Sequence, residues 1–274
     1  EGLSASEIGQ VIPKITGLGS EYELFIRGSF PELWNSQSRS VVDYYSSYLQ
    51  TYIERDVRQI VNVGSSRDFE RFIRGCASRN SGLLNKSDLA RDLGISVATV
   101  NSWLSIVEAS NQVSFLEPYY TNKSKALAKS PKLYLNDVGM LSHLLQLDVS
   151  NLQASTLFGG VAEAFVFSEL RKLKNSYFPG AEIMLYRDNQ RREIDFIFSE
   201  KAEVAAIEVK TTERPDIGKL TTLHMAESLI DRKIKAKIVV CGAKEAYQIG
   251  EIIVLPFAKF GEHLRKLYQR EVSY

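Results

Sequence analysis

The hydrophobic pattern of this chain changes from almost entirely helical to alternating helix and strand close to residue 150, and that change limits the fold more than any other feature. Before it, apolar residues recur at three- and four-residue intervals, the repeat of amphipathic helices. After it, short apolar runs of strand length alternate with helical segments. The polar stretch from Asp148 to Ser155, rich in Gln, Asn and Ser, separates the two patterns. The expectation is an α+β multidomain chain: a helical region over 1–83, a helix-turn-helix unit over 84–150 and an α/β unit over 151–274. A length of 274 residues has room for more than one such unit.

In the helical region, Tyr44, Tyr48, Leu49, Tyr52, Ile53, Val57 and Ile60 predict one amphipathic helix from about Val41 to Val61. The segment from Arg27 to Glu32 reads as a turn-rich approach to it. Phe69, Phe72, Ile73 and Cys76 mark a helix over 68–78. In the next unit Leu89, Ala90 and Leu93 form a short apolar face, Gly94 permits a tight turn, and Ser96 is a natural N-cap. Val100, Trp103, Leu104 and Val107 turn the second helix inward. Strands at 113–120 and 132–135 then complete a winged helix, whose tip carries Lys123, Lys125 and Lys129 and no acid.

With Lys132, these lysines are the candidate contacts to nucleic-acid phosphates. Val97, Ala98, Thr99, Asn101, Ser102 and Ser105, the positions of the second helix left for solvent, include no Arg or Lys. Bidentate guanine readout has no donor there. DNA contact and a structural or protein-docking role both remain open. A formal net charge of +1 (34 Lys+Arg against 33 Asp+Glu) excludes a global basic field, so any nucleic acid must be held by a local patch.

The α/β unit is expected to run α-β-β-β-α-β, with a trailing β-α, as a sandwich built on a mixed sheet. Its strands at 182–187, 192–198 and 203–210 are followed by helical spacing over 217–230. Strands at 236–241 and 252–255 and a helix over 257–269 close the chain. The strand period of two puts Glu208 and Lys210 on one face and Ile207 and Val209 on the other. Asp195 interrupts an apolar run in the preceding strand, and hairpin pairing brings it close to Glu208. Glu163 stands on the inward face of a helix beside Gly159, Phe167 and Leu170, where a carboxylate is costly without a partner.

Two or three carboxylates suit a hard cation such as Mg²⁺ or Mn²⁺, which retains waters and accepts a few acidic oxygens. A neighbouring Lys can stabilise developing negative charge or orient a nucleophile. Phosphodiester hydrolysis unites these groups. Glu163, Asp195 and Glu208 are then the metal ligands, with Asp195, Glu208 and Lys210 at the reacting centre. In the bland alternative, Glu208 and Lys210 are a surface cross-strand pair and Asp195 guards an edge.

These residues resemble the PD-(D/E)XK nuclease superfamily, with Asp195 in its Asp motif, Glu208-Val-Lys210 in its Glu-x-Lys motif and Glu163 as the acid of its first helix. Tyr45 to Val57, Asp88 to Leu104, Ala128 to Met140, Glu163 to Leu170 and Tyr186 to Phe196 look like a group of bacterial and archaeal AAA-type ATPases. In that group a P-loop domain precedes helices, a winged helix and a domain of unknown function with a nuclease-like fold. The resemblance implies the C-terminal part of such an ATPase, partnered by its own N-terminal domain and acting on or binding nucleic acid. ATP would enter only through that domain, because no Gly-x-x-x-x-Gly-Lys-[Ser/Thr] occurs here. The chain starts at Glu1, not Met, as a fragment would. Asn101 and Ser102 stand where the group often has basic residues. Two Cys and the absence of a long apolar run suggest a cytoplasmic protein without a membrane partner. Were the acids relics, the chain would be a non-enzymatic module binding nucleic acid or protein for the ATPase.

Overall fold

The sheet that carries the candidate acids is mixed and has six strands, in the spatial order Glu182–Arg187, Glu193–Glu200, Glu203–Val209, Lys233–Cys241, Ile252–Pro256 and Tyr247–Ile249. In the computed structural model, which describes residues 2–11, 18–35, 40–57, 66–120 and 130–269, the architecture is α+β, about 50% helix and 20% strand. The N-terminal region comprises α1 (Ala5–Val11), α2 (Leu18–Arg27), α3 (Pro31–Asn35), α4 (Val41–Thr51) and α5 (Ser66–Ala77). Ser40 caps α4 by accepting from the Asp43 amide. The expected long helix instead leaves α-geometry after Thr51 and continues as a π-helical turn over Tyr52–Val57. That turn keeps Tyr52, Ile53 and Val57 all buried. The rest of the expected helix, and its Ile60, lie outside the described residues.

Two glycines close this region onto the next. Gly28 (φ +66°) and Gly139 flank the Tyr45 hydroxyl, and a Cβ on either would lie 2.4 or 2.1 Å from it. The hydroxyl is 2.8 Å from the Arg27 carbonyl and 2.7 Å from Asp137 Oδ1. Asp137 in turn accepts from Ser29 and caps α8 (Val138–Leu144) through the Met140 amide.

The helix-turn-helix consists of α6 (Lys86–Leu93) and α7 (Val97–Ala109). Gly94 ends the first in the left-handed conformation, and Ser96 accepts from the Thr99 amide to start the second. Strands β1 (Val113–Leu116) and β2 (Lys132–Leu135) pair antiparallel, with Val113 opposite Leu135. The 81–84 segment runs along the other side of β2, through Leu133 N–H to the Gly82 carbonyl and Leu84 N–H to the Pro131 carbonyl. Beyond β1 the chain reaches the edge of the large sheet, where the Tyr119 amide donates to the Leu185 carbonyl.

The second half opens with α9 (Phe158–Tyr177), followed by β3 (Glu182–Arg187), β4 (Glu193–Glu200) and β5 (Glu203–Val209). The 217–230 stretch is not one helix. It is a 3₁₀ turn (Ile217–Lys219) followed by α10 (Thr221–His224) and α11 (Ala226–Leu229). Buried Ile217, Leu220, Leu223 and Ala226 repeat every three residues, a spacing that one straight α-helix of 3.6 residues per turn would not keep on one face. Strands β6 (Lys233–Cys241), β7 (Tyr247–Ile249) and β8 (Ile252–Pro256) and helix α12 (Phe257–Gln269) complete the chain. β5, β6 and β8 are parallel neighbours, and the other pairings are antiparallel.

One apolar cluster runs unbroken from α2 through the hairpin and α9 to the sheet face carrying Phe196, Phe198, Ile207 and Ile238. A smaller cluster covers the opposite face, where Ile197, Val204, Ala206 and Val239 meet the 217–230 turns. Among the described residues no helix is long and apolar enough to cross a membrane.

Candidate functional site

Strand β4 begins where β5 ends, so their antiparallel pairing (Phe196 opposite Ile207) brings Asp195 beside Glu208. The approach depends on an irregularity. Against β3, Met184 faces Ile197 and Tyr186 faces Ile194, so β4 carries one extra residue at this point. Such a bulge re-aims a side chain. Asp195 Oδ2 accepts from the Val209 amide at 2.8 Å, which fixes its carboxylate against the end of β5. It faces Glu208 at hydrogen-bonding range. Glu208 Oε2 receives Lys210 Nζ at 3.0 Å. The three motif residues of the two strands thus stand together at one sheet end.

Glu163 approaches from α9 and is within electrostatic reach of Asp195. Its Oε2 accepts from the Tyr134 hydroxyl at 3.0 Å and from Lys132 Nζ at 3.1 Å. Lys132 Nζ is also 2.6 Å from Glu193 Oε1, and Arg187 meets the other Glu193 oxygen at 3.2 Å. Lys132 was expected among the phosphate contacts of the wing, and the structure corrects this. Its side chain is 5% exposed and lies among the acids, because β2 is paired on both sides and packed against α9. The ring of Tyr134 lies 4.6 Å from Phe167 of α9, and Phe167 stacks on Phe196 of β4. That aromatic column seats the hairpin on the sheet and carries Lys132 with it. Lys123, Lys125 and Lys129 lie outside the described residues.

Burial is the first cause of the unusual titration here. It pushes the Glu208 carboxyl up to about 8 and the Glu163 carboxyl to about 7, and the charge of Asp195 adds to both. Lys132 is raised above the ordinary lysine value: burial opposes its charge, but Glu163, Asp195 and Glu193 outweigh it. Lys210 is raised in the same way by Glu208 and Asp195 against its own burial. Both ammoniums are raised although burial opposes their charge, so the acids around them outweigh that burial.

The pair of Asp195 and Glu208 supplies hard oxygen donors and fits a divalent cation. Among the described residues no group of three His, Cys, Asp or Glu side chains is arranged to hold one ion. Glu163 is the acid diverted, by Lys132 and Tyr134. Beside the pair opens a groove of about 490 Å³ lined by Glu193, Asp195, Glu208, Lys210, Thr212 and the 215–222 turn. Sequence reading missed Lys132, Tyr134 and Glu193 as members of the cluster. Their only signal was parity: Lys132 and Tyr134 alternate on one strand, as do Glu193 and Asp195. On α7, Val97, Ala98, Asn101, Ser102 and Ser105 are exposed and Thr99 is half-buried.

Residues 20–151 match the family described as Domain of unknown function (DUF8612), and residues 158–260 match Domain of unknown function (DUF4143). The second is a domain typically found C-terminal to AAA-type ATPase domains. Uncharacterized proteins of Mycobacterium tuberculosis (strain H37Rv) and Mycobacterium bovis are each 23% identical to the chain over 250 residues. That aligned stretch is 90% of this chain and 55% of each relative, so the chain spans about half the length of these relatives.

Proposed function

We propose that the second half is a PD-(D/E)XK-like module with a divalent-cation site for phosphodiester chemistry on nucleic acid, working beside an AAA-type ATPase domain. The observation that carries this reading is the convergence of Asp195, Glu208 and Lys210 at one sheet end, with surplus buried negative charge at the mouth of an open groove. Asp195 and Glu208 would hold Mg²⁺ or Mn²⁺. A bound ion supplies charge to a phosphate oxygen and acidifies a coordinated water. Asp195 keeps its aim through the Val209 amide, and the bulge in β4 sets that aim. Lys210, partly exposed and held protonated by its neighbours, presents an ammonium to a phosphate entering the groove. Thr212, Thr221 and Thr222 line the same groove and offer neutral hydroxyls to a backbone. ATP would act only through a P-loop domain outside the matched regions.

A second reading, a binding module whose acids are relics, is favoured by the engagement of Glu163 with Lys132 and Tyr134. Calorimetry with Mn²⁺ on the wild type and Asp195→Ala separates the two. The first reading expects binding by the wild type, lost in the variant. It also expects affinity to rise as pH climbs through about 8, because Glu208 must release its proton to bind. No binding by the wild type at millimolar Mn²⁺ or Mg²⁺ would sink the metal site.

A further inference from the structure

The acid cluster already contains a cation contributed by another part of the chain. We propose that Lys132 is a built-in counter-ion that withholds Glu163 from metal binding, so that the site takes one divalent cation on Asp195 and Glu208 alone. This rests on the cation-site reading of the groove, and it names a positioning residue that lies outside the two strand motifs.

The geometry carries it. Lys132 Nζ is within 3.1 Å of Glu163 and 2.6 Å of Glu193, and it is enclosed, with a side-chain exposure of 5%. Glu163 Oε2 accepts two hydrogen bonds, from Lys132 and from Tyr134, which occupy both lone pairs of that oxygen. Neither donor can drift away cheaply. Lys132 and Tyr134 are fixed on a strand bonded along both edges, and the Tyr134 ring is locked by Phe167 and Phe196.

Charge arithmetic points the same way. Glu163, Glu193, Asp195 and Glu208 are four carboxylates, and Lys132, Lys210 and Arg187 are the three cations paired with them. With all four carboxylates ionised, as above about pH 8, their formal sum is −1. Without Lys132 it becomes −2, the charge one divalent cation neutralises. Lys132 therefore competes with a divalent cation for the same electrostatic role, and it does so from the hairpin of the helix-turn-helix unit. Attachment of that hairpin to the sheet thereby sets the cation requirement of the groove.

The test is Mn²⁺ titration of the full chain by calorimetry, with circular dichroism to confirm folding. Glu163→Gln, which removes one charge but no ligand, should weaken binding by no more than about tenfold, whereas Asp195→Ala should lose binding. Lys132→Met should bind at least about tenfold more tightly, Lys132→Arg should match the wild type, and the double variant Lys132→Met with Glu163→Gln should lose the gain. A weakening by Glu163→Gln as severe as that of Asp195→Ala would make Glu163 a ligand and overturn the inference. An unchanged affinity in Lys132→Met would do the same. If Lys132→Met does not fold, Lys132→Gln, which keeps a hydrogen-bond donor without the charge, takes its place under the same criteria. If the wild type binds no ion, the cation-site reading fails. The inference is then judged by whether removing the Lys132 charge creates binding, and absence of any gain overturns it too.

Discussion

Two buried lysines associated with the second half make a natural comparison. Lys132 and Lys237 are 4% and 2% exposed, and each contacts two glutamates. Around Lys237 the partners Glu227 and Glu251 are 57% and 55% exposed, and the His224 carbonyl accepts a further hydrogen bond. There the acids reach water, and the hydrogen bond from Lys237 holds the Glu251 carboxyl below its ordinary value. Around Lys132 the partners are 20% and 26% exposed, and Asp195 adds negative charge behind them. There burial and the neighbouring acid hold Glu163 above its ordinary value. The same triplet of one lysine and two glutamates is self-sufficient in one place and overloaded in the other. A buried lysine is therefore no sign of a functional site, whereas unbalanced buried charge is a candidate for one.

Removing each lysine should separate the two clusters most sharply. Lys132→Met leaves enclosed carboxylates without their cation and is expected to cost about 3–5 kcal/mol at pH 8. The cost should shrink toward pH 6, where Glu163 takes up a proton. Lys237→Met leaves acids that already face water and is expected to cost about 0–1 kcal/mol. Chemical denaturation at both pH values reads the difference, and equal costs would erase the comparison.

A smaller effect follows from Glu208. Its carboxyl is raised in the folded state, so the folded protein binds the extra proton. Its contribution is fully present below about pH 4.5 and is lost as pH climbs through about 8. Glu208→Gln in the presence of a chelator should therefore raise the melting temperature by a few degrees at pH 8.5 and leave it nearly unchanged at pH 4.5. A loss of stability at pH 8.5 would mean that the ionised carboxylate is welcome there. The smallest effect is expected of Glu251, whose lowered value has the opposite sign. Its stabilisation is present above the ordinary carboxylate value and disappears as pH falls. Glu251→Gln should lower stability slightly at pH 7, within the scatter of surface substitutions, and not at all near pH 3.

Much of the site was legible before the fold was known. Asp195, Glu208 and Lys210 could be placed on adjacent strands by parity and hairpin order alone, and β4 and β5 pair as that order requires. The bulge at Asp195 was not legible, because it exists only in the register between β4 and β3. The helical reading of 217–230 holds only in pieces, a 3₁₀ turn and two short α-helices, because a three-residue apolar repeat is close to the α-helical one without matching it. Strand β7 was missed because Tyr247, Gln248 and Ile249 are all exposed and form an edge, which leaves no hydrophobic alternation to read. Lys132 was read as a surface residue because it borders a lysine-rich loop. What buries it is the packing of Tyr134 against Phe167, a helix residue more than thirty positions further along the chain.

By itself the sequence determined the types of its elements, helices first and a mixed sheet afterwards, and the pairing of a carboxylate with an ammonium at a strand end. Those follow from side-chain periods of 3.6 and 2, which are local properties of the backbone. Only the tertiary structure decided which charges share one enclosure. Electrostatic balance is set by separations of a few ångströms between residues far apart in the chain, such as Lys132, Glu163 and Glu193, and no local period encodes those separations.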